Sequence, residues 1–575
     1  MATETTPSPD PAEAAAPSVG KTSGSRPDLR LGPLKIRQAS LLGALLGAVL
    51  MVASVTPSLV PRIWPLQVLL AGVCFLVGYA AGAFLAWVWR ALGLPDLPER
   101  LRRWLWRVLL IATPVALLIG GWLGRRWQSQ QRELLGMDGD ASWWWLIAPL
   151  LGVLVVAVGL LVARAIRLLG RALDRALSRV LPGRLAAVIA ILLTAFISWQ
   201  LARGVVVDRA LTMADGVFAA HAAGDKEGVS NPESQFRSGG PRSDVAWDQL
   251  SREGRYFVSS GLTAADITEV TGATDAVEPV RAYVGLRAAD SAAERAQLAV
   301  KELHDLGGFD RSVLAVAGTT GTGWIDPQPP AALEYVTHGD VAIVTTQYSY
   351  LPSWMSYLVD RSRAQENAAE LLTAIRVELA SMPADKRPQL YVFGESLGAY
   401  STGSAFTSVE DIATTTDGAL MIGPPDFEPT WQRIQERRDP GSPIWKPRYQ
   451  DGAMARTVDD AADLTDPTLT WKTDNRIIYL VHQSDPIVAW KISRREWLDP
   501  RGPDIHPRMN AFPVVSWLQG SFDQLGANSV PPGHGHIYDE IVAPAWATIL
   551  GVKLPDDELA AIEAAVAKII DPDRA

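Results

Sequence analysis

The sequence predicts an α-helical membrane domain followed by an α/β domain built on a mostly parallel sheet. Three observations along the 575-residue chain support this prediction: five long apolar runs before residue 205, a polar stretch rich in Gly, Pro and Ser after them, and then short β-branched runs that alternate with helical patterns. We therefore divide the chain into a disordered tail (1–38), a membrane domain (39–204), a linker (205–245) and an α/β domain (246–575).

Each apolar run is near the ~20 residues that a helix needs to cross the hydrocarbon core of a bilayer. Charged residues are almost absent from the runs, and tryptophans gather at their ends, where an indole ring prefers the headgroup region. These features predict five transmembrane helices. The runs lie at about 39–57, 66–89, 105–123, 143–163 and 185–204.

Composition excludes some classes of function and some structural features. The net charge of −9 argues against a nucleic-acid-binding protein, since such proteins normally carry a basic patch on a soluble domain. The one cysteine, Cys74, lies in an apolar run, so the chain cannot form an internal disulfide. The first 38 residues lack a periodic apolar face, which is typical of disorder, and the first apolar run begins too late for a signal peptide.

Lys and Arg are concentrated on alternate connections between the predicted spans. They precede the first run and follow the second and the fourth, and those from Arg164 to Arg184 are spaced like the charged face of a helix on the membrane surface. The positive-inside rule places the N-terminus in the cytoplasm. The chain would then be a multi-pass protein of the cell membrane, the inner membrane where there are two, and five spans would place the α/β domain on its extracytoplasmic side. No charged residue lies in the middle of a span, which favours an anchor over a transporter.

The α/β domain shows alternating strand and helix patterns, which predict a parallel sheet covered by helices on both faces. Strands are predicted at 279–286, 312–318, 341–347, 389–394, 418–423, 476–482 and 512–518. Helices are predicted at 291–307, at about 361–382 and near 537–550.

The segment "YVFGESLGAY" (391–400) contains a Gly-x-Ser-x-Gly motif between a predicted buried strand and a predicted helix. A nucleophile elbow requires this position, because its turn is too tight for bulky side chains at Gly394 and Gly398. The helix would direct its first N–H groups, beginning with that of Leu397, toward a developing oxyanion. The context therefore predicts that Ser396 is a nucleophile.

A serine nucleophile needs a base and a carboxylate that orients it, in the chain order Ser, Asp or Glu, His. Asp485 directly follows a predicted strand in "RIIYLVHQSDPIV" and is the preferred acid. Asp426, in "GPPDF" after the preceding strand, is the alternative.

Only seven histidines occur in the chain, and three of them follow Asp485. His534 and His536 share a glycine-bearing loop before the last helix, where a mobile base belongs. His536 is preferred because it borders the helix, and His534 remains the alternative. His506, in a Pro-rich loop, and His482, at the end of a strand, fit structural roles better.

The loop "AGTTGTGWIDP" (317–327) follows a strand and is rich in small residues, so its backbone can approach a ligand closely. Thr319 and Thr320 are the candidates for the second oxyanion donor. A phosphate-binding loop is excluded, because Trp324 stands where such a loop has Lys. The sequence also lacks His-Glu-x-x-His, metal-spaced carboxylates and a dinucleotide fingerprint, so we predict neither a metal site nor a cofactor.

The segment "QYSYLPSWMSYLVD" (347–360) is unusually aromatic for a loop that leads into a helix. Tyr348, Tyr350 and Trp354, together with Trp324, are candidates for the lining of an acyl or apolar leaving-group pocket. Packing in the core of the domain is the alternative for the same side chains.

With "TGTGW", "QYSYLPSW", "GESLG" and "GHGHIY" in this order behind the apolar runs, the chain resembles a family of bacterial membrane-anchored α/β-hydrolases, α/β-hydrolase family 9, with its N-terminal membrane domain. The resemblance covers about residues 35–550. It implies an α/β-hydrolase fold with Ser396 as nucleophile and with Asp485 and His536 as its partners. The chain lacks the His-Gly-Gly of better-known lipases in the oxyanion loop, which leaves that part of the site open.

The sequence thus predicts a membrane-anchored serine hydrolase of the esterase or lipase type, or an acyltransferase, that acts through an acyl-enzyme. The membrane anchor and the aromatic segment favour a lipid or cell-envelope ester as substrate and membrane lipids as partners. A peptidase with the same triad, and a non-catalytic module that uses a hydrolase fold to bind a partner, are the alternatives. The oligomeric state cannot be read from the sequence.

Overall fold

The computed structural model describes residues 29–31, 34–36, 40–139, 142–201, 225–226, 228–351, 356, 361–490 and 495–571. Two short antiparallel strands, β1 (Leu29–Leu31) and β2 (Leu34–Ile36), lie within the segment predicted to be a disordered tail. The rest of that segment and the first half of the predicted linker lie outside the described residues.

The described part of the N-terminal domain contains four helices that are long and apolar enough to cross a membrane, so the prediction of five spans is wrong. The first apolar run forms a helix of only 13 residues, about 20 Å long, which is shorter than the ~30 Å hydrocarbon core. It ends before Pro57 and Pro61, which a helix does not tolerate in its interior. The helices are α1 (Leu41–Ala53), α2 (Trp64–Ala91), α3 (Glu99–Leu134), α4 (Ala148–Leu177) and α5 (Gly183–Leu201).

Residues 54–63, which we name the connecting segment, join α1 to α2 and are mostly buried. α1 packs along α2, where a Cβ atom at Gly78 or Gly82 would overlap the backbone of α1. The Ser40 N–H donates to the Tyr79 hydroxyl at 3.3 Å, which places the start of α1 partway along α2. The other end of α1 and the start of α2 lie together at the connecting segment.

Two of the long helices extend beyond the apolar runs. α3 has 36 residues and α4 has 30, about 54 and 45 Å, so both exceed the thickness of a hydrocarbon core. The residues from Arg164 to Arg175 were expected to form a separate surface helix, and they instead continue α4.

The C-terminal domain is built on a seven-stranded sheet in the order β3-β5-β4-β6-β7-β9-β8, and every strand pair is parallel. Nearly every residue of the central strands is buried, as expected of a parallel sheet with helices on both faces. The strands are β3 (Val280–Val284), β4 (Val313–Gly318), β5 (Val341–Thr346), β6 (Gln389–Glu395), β7 (Gly418–Ile422), β8 (Ala455–Val458) and β9 (Arg476–Leu480).

Two groups of helices pack on this sheet, α8 with α10 and α11, and α9 with α16 and α17. The helices of the domain are α6 (Arg252–Ser259), α7 (Ala264–Thr271), α8 (Ala292–Leu306), α9 (Gln328–Val336), α10 (Arg361–Ser381), α11 (Leu397–Gly403), α12 (Val409–Thr415), α13 (Pro429–Glu436), α14 (Ala461–Leu464), α15 (Pro513–Asp523), α16 (Val542–Leu550) and α17 (Asp556–Val566).

One predicted strand is a helix. The run 512–518 forms the start of α15, with Pro513 at its first turn, where proline is tolerated. Its buried residues include Val515, Leu518 and Gln519, which recur with the helical period. Packing against α2 therefore overrides the β-propensity of the valines and the aromatic residues.

Candidate active site

Ser396 lies between the last residue of β6 and the first residue of α11, with φ 56° and ψ −121°. A positive φ is unfavourable for a residue with a side chain and persists only where neighbouring structure enforces it. Here the Ser396 N–H donates to the Ile422 carbonyl at 2.9 Å, and the Ser396 carbonyl accepts from the Tyr400 N–H at 3.1 Å. The turn is held from the adjacent strand and from its own helix.

The two glycines of the motif are required by close backbone contacts. A Cβ atom at Gly394 would overlap the backbone of Gly398, and one at Gly398 would overlap the carbonyl of Gly318 on β4. The turn after β6 therefore lies directly against the end of β4, where the loop 317–327, which we name the Gly/Thr loop, begins.

His536 and Asp485 form a buried pair. His536 Nδ1 lies 2.6 Å from Asp485 Oδ2, and the two residues are 4% and 0% exposed. The Tyr538 hydroxyl donates to the same Oδ2 at 2.7 Å, and the Ile487 N–H donates to Oδ1 at 2.7 Å. The carboxylate is thus held from both of its oxygens.

The imidazole of His536 packs at the end of β7, beside the serine. A Cβ atom at Gly423 would overlap the His536 ring, and Gly423 directly follows Ile422, whose carbonyl binds Ser396. The His536 Nε2 atom is buried and has no hydrogen-bond partner among the described residues. Because Nδ1 faces Asp485, Nε2 is the ring atom available to a reacting group.

The neighbouring His534 has a different partner. Its Nδ1 lies 3.0 Å from Asp504 Oδ2, which also accepts from the Ser484 hydroxyl at 2.8 Å. Asp504 raises the pKa of His534 above its ordinary value. The structure therefore brings His536, and not His534, to Asp485.

The other two histidines considered are buried and structurally bound. His482 Nδ1 lies 3.1 Å from the Gly535 carbonyl, its ring stacks on Tyr538 at 4.2 Å, and burial lowers its pKa to about 4. His506 Nε2 lies 3.2 Å from Gln130 Oε1 of α3, and burial lowers its pKa as well.

Asp426, the alternative acid, is buried in the loop after β7. Its N–H donates to the Ile487 carbonyl at 3.3 Å, so it lies beside the segment that follows Asp485. The carboxylate that meets His536 is that of Asp485.

The Gly/Thr loop contacts the turn at Ser396, but its two threonines differ in their backbone contacts. The Thr320 N–H donates to the Trp324 carbonyl at 3.0 Å and closes a turn within the loop, which argues against Thr320 as an oxyanion donor. Thr319, 2% exposed, directly follows Gly318, which contacts the turn. Leu397 is the first residue of α11, so its N–H has no helical acceptor.

The residues predicted to line a pocket occupy different surroundings. Tyr348 is buried in a small apolar cluster with Leu397 and Tyr400, next to Ser396. Trp324 Nε1 donates to Asp571 Oδ2 at 2.6 Å, near the end of the chain. Tyr350 is half-buried, and Trp354 lies outside the described residues.

Two candidate functional residues were not predicted from the sequence. Tyr538 binds the acid, and its place two residues after His536 was the available signal. The Gln347 amide donates to the Thr322 and Ser349 carbonyls at 2.9 and 2.7 Å and so joins the Gly/Thr loop to the aromatic segment. Within the described ranges, no group of three or more His, Cys, Asp or Glu side chains is arranged to hold a metal ion.

Comparison with known families adds to this geometry. Residues 280–561 match the model of an alpha/beta-hydrolase family, and residues 55–261 match the model of the N-terminal part of that family. No curated protein and no solved structure matches the chain. The chain therefore belongs to α/β-hydrolase family 9, with both the N-terminal part and the hydrolase domain present.

Proposed function

We propose that the protein is a membrane-anchored serine hydrolase that acts through an acyl-enzyme, with Ser396 as nucleophile, His536 as base and Asp485 as the orienting acid. The observation that carries the proposal is the 2.6 Å contact between His536 Nδ1 and Asp485 Oδ2, beside a serine held at positive φ. An activated serine requires a base oriented in this way by a carboxylate, and the free His536 Nε2 is the atom that would accept the serine proton once substrate is bound.

In the proposed reaction, His536 Nε2 takes the proton of the Ser396 hydroxyl while Oγ bonds to the carbonyl carbon of an ester. The N–H groups of Leu397 and Thr319 stabilise the oxyanion. His536 then gives the proton to the leaving alcohol, which departs as the carbon–oxygen bond breaks. Water, or the hydroxyl of an acceptor in an acyltransferase, releases the acyl group by the same steps in reverse order.

We propose an ester of lipid or cell-envelope origin as the substrate class. The family match covers both domains, and four apolar helices are compatible with a membrane anchor. Tyr348, Leu397 and Tyr400 supply an apolar surface beside the nucleophile that suits an acyl chain.

A serine-reactive fluorophosphonate tests this proposal on the purified full chain. We expect wild-type protein to be labelled and Ser396→Ala to remain unlabelled. His536→Ala should slow labelling by about 100- to 10,000-fold, the usual contribution of a general base.

His534→Ala is the matched control, since His534 shares the loop of His536 but lies against Asp504. It should label within a few-fold of wild type. Equal labelling of Ser396→Ala and wild type would sink the mechanism, because another residue would then be the reactive one. Wild-type protein that is not labelled at all would favour a non-catalytic binding module. Cleavage of peptide anilides in preference to p-nitrophenyl esters would identify a peptidase instead.

A further inference from the structure

α15 exposes large apolar side chains on one side. Phe512, Val514 and Trp517 are 44–46% exposed, and Leu525, just beyond the helix, is 67% exposed. The helix carries one charged residue, Asp523, and that residue is fully buried. An apolar, uncharged surface of this kind on a soluble domain marks an interaction site.

The opposite side of α15 packs on the apolar helices of the N-terminal domain. Leu518 and Phe522 form a cluster with Leu70 and Cys74 of α2, and Leu70 and Cys74 are 0% exposed. These two residues lie six and ten positions after Trp64, about 9 and 15 Å along the helix from its start. α15 therefore lies beside α2, a helix that is long and apolar enough to span a membrane.

Polar contacts with the connecting segment fix the position of α15 along α2 and the side of α15 that faces α2. Gln519 Nε2 donates to the carbonyls of Thr56 and Ser54 at 2.8 and 3.2 Å. Asp523 Oδ2 accepts from the Leu59 N–H at 3.1 Å. The exposed side of the helix consequently faces outward at the level of the apolar helices.

An aromatic pair lies on this exposed side. The rings of Trp517 and Trp490 are 6.3 Å apart, and Trp490 Nε1 donates to the Ser521 hydroxyl at 3.0 Å. Tryptophan is the side chain that bilayer interfaces prefer.

We propose that α15 is embedded in the bilayer, so that the hydrolase domain itself contributes a membrane-inserted helix whose Phe512, Val514 and Trp517 contact lipid acyl chains. The continuity of its buried side with α2 selects lipid as the occupant. The proposal is independent of the proposed hydrolase chemistry. It also places a lipid contact close to the active site, since the Ala527 carbonyl, just beyond α15, accepts from the His536 N–H at 3.0 Å.

Site-directed spin labelling of the full chain in phospholipid vesicles tests the proposal. Nitroxides are placed at Val514→Cys and Trp517→Cys, and their collision rates with oxygen, which enters lipid, and with a polar nickel chelate are compared. Val377→Cys is the aqueous control, because Val377 is 67% exposed on α10. Leu161→Cys, at a position 65% exposed on α4, is the lipid control. The native Cys74 is fully buried and stays in place.

We expect the labels at 514 and 517 to favour oxygen over the nickel chelate by at least about tenfold relative to position 377, as the label at 161 does. A nickel accessibility equal to that of position 377 would overturn the proposal. Low collision rates with both reagents, as under a second copy of the chain, would overturn it too.

Photocrosslinking of the wild-type chain with a phosphatidylcholine that carries a diazirine in its acyl chain needs no substitution. Adducts within residues 512–525 support the proposal. Adducts confined to α2–α5 contradict it.

Discussion

Asp485 Oδ2 receives hydrogen bonds from two side chains, His536 at 2.6 Å and Tyr538 at 2.7 Å. A fully buried carboxylate is costly unless donors surround it. Burial, together with Asp485, raises the pKa of Tyr538 far above its usual range, so the phenol stays protonated and donates at any working pH. Tyr538 is thus a positioning residue for the pair that we propose to activate Ser396.

Tyr538→Phe should slow fluorophosphonate labelling about tenfold, because a hydrogen bond to a charged group is worth about 1.5–3 kcal/mol and Asp485 would hold His536 less firmly. The measurement is the second-order rate constant of labelling.

Tyr479→Phe is the matched control, since Tyr479 is a buried tyrosine whose hydroxyl contacts Thr430 at 2.6 Å, away from the triad. If both variants slow labelling equally, Tyr538 has only a structural role.

At the residue level, the order of the serine, aspartate and histidine motifs along the chain predicted the pair that the structure brings together. A strand end before Asp485 and a glycine loop before the last helix are local signals, and they sufficed to select His536 and Asp485 as candidates. Separating His534 from His536 required the position of Asp504, which approaches from a distant loop. The catalytic roles themselves remain predictions.

At the level of elements, the connecting segment is irregular backbone enclosed by polar side chains. Gln67 donates to the Ser54 hydroxyl at 3.0 Å, and Gln128 accepts from the Arg62 N–H at 2.8 Å. Irregular backbone at membrane depth is tolerated only where protein satisfies its polar groups. Arg62 and Asp523 lie 3.6 Å apart within this enclosure.

Asp523→Leu should destabilise the protein by about 3–5 kcal/mol, because it leaves Arg62 buried without its partner. The double variant Arg62→Met/Asp523→Leu should recover most of the loss, since an apolar replacement of a buried ion pair is often neutral. The thermal unfolding midpoints of the two variants and of the wild type, all solubilised in detergent, measure both effects. A double variant no more stable than Asp523→Leu would contradict this account.

Strand and helix patterns were predicted well where periodicity was long and local. β3, β4, β5, β6, β7 and β9 each lie within one or two residues of their predicted ends. β8, with four residues, is too short to stand out. α15 was assigned as a strand because its helical form depends on packing against α2 of the other domain. α1 was assigned as a span because the prolines that follow it, Pro57 and Pro61, were not weighed.

At the scale of the whole molecule, the loss of one span removes the crossing that paired a cytoplasmic N-terminus with an extracytoplasmic hydrolase domain. α2 begins at the connecting segment, beside the hydrolase domain, and four crossings would return the end of α5 to that side. The arginine-rich connections between α2 and α3 and between α4 and α5 lie on the opposite side. The positive-inside rule therefore still favours an extracytoplasmic hydrolase domain.

Protease treatment of intact cells, or of spheroplasts where an outer envelope blocks the protease, tests this orientation. With a C-terminal epitope tag, we expect the hydrolase domain to be degraded without lysis. A hydrolase domain that becomes sensitive only after lysis would place it in the cytoplasm.

The connecting segment also sets an order of events during synthesis. The Leu59 N–H and the Asp523 carboxylate that accepts from it are 464 positions apart, which corresponds to roughly 20–90 s of translation. Leu59 itself belongs to the hydrophobic core of the hydrolase domain. The Leu59 N–H therefore finds this acceptor only after nearly the whole chain has been made. The packing of the N-terminal helices is completed together with that of the hydrolase domain.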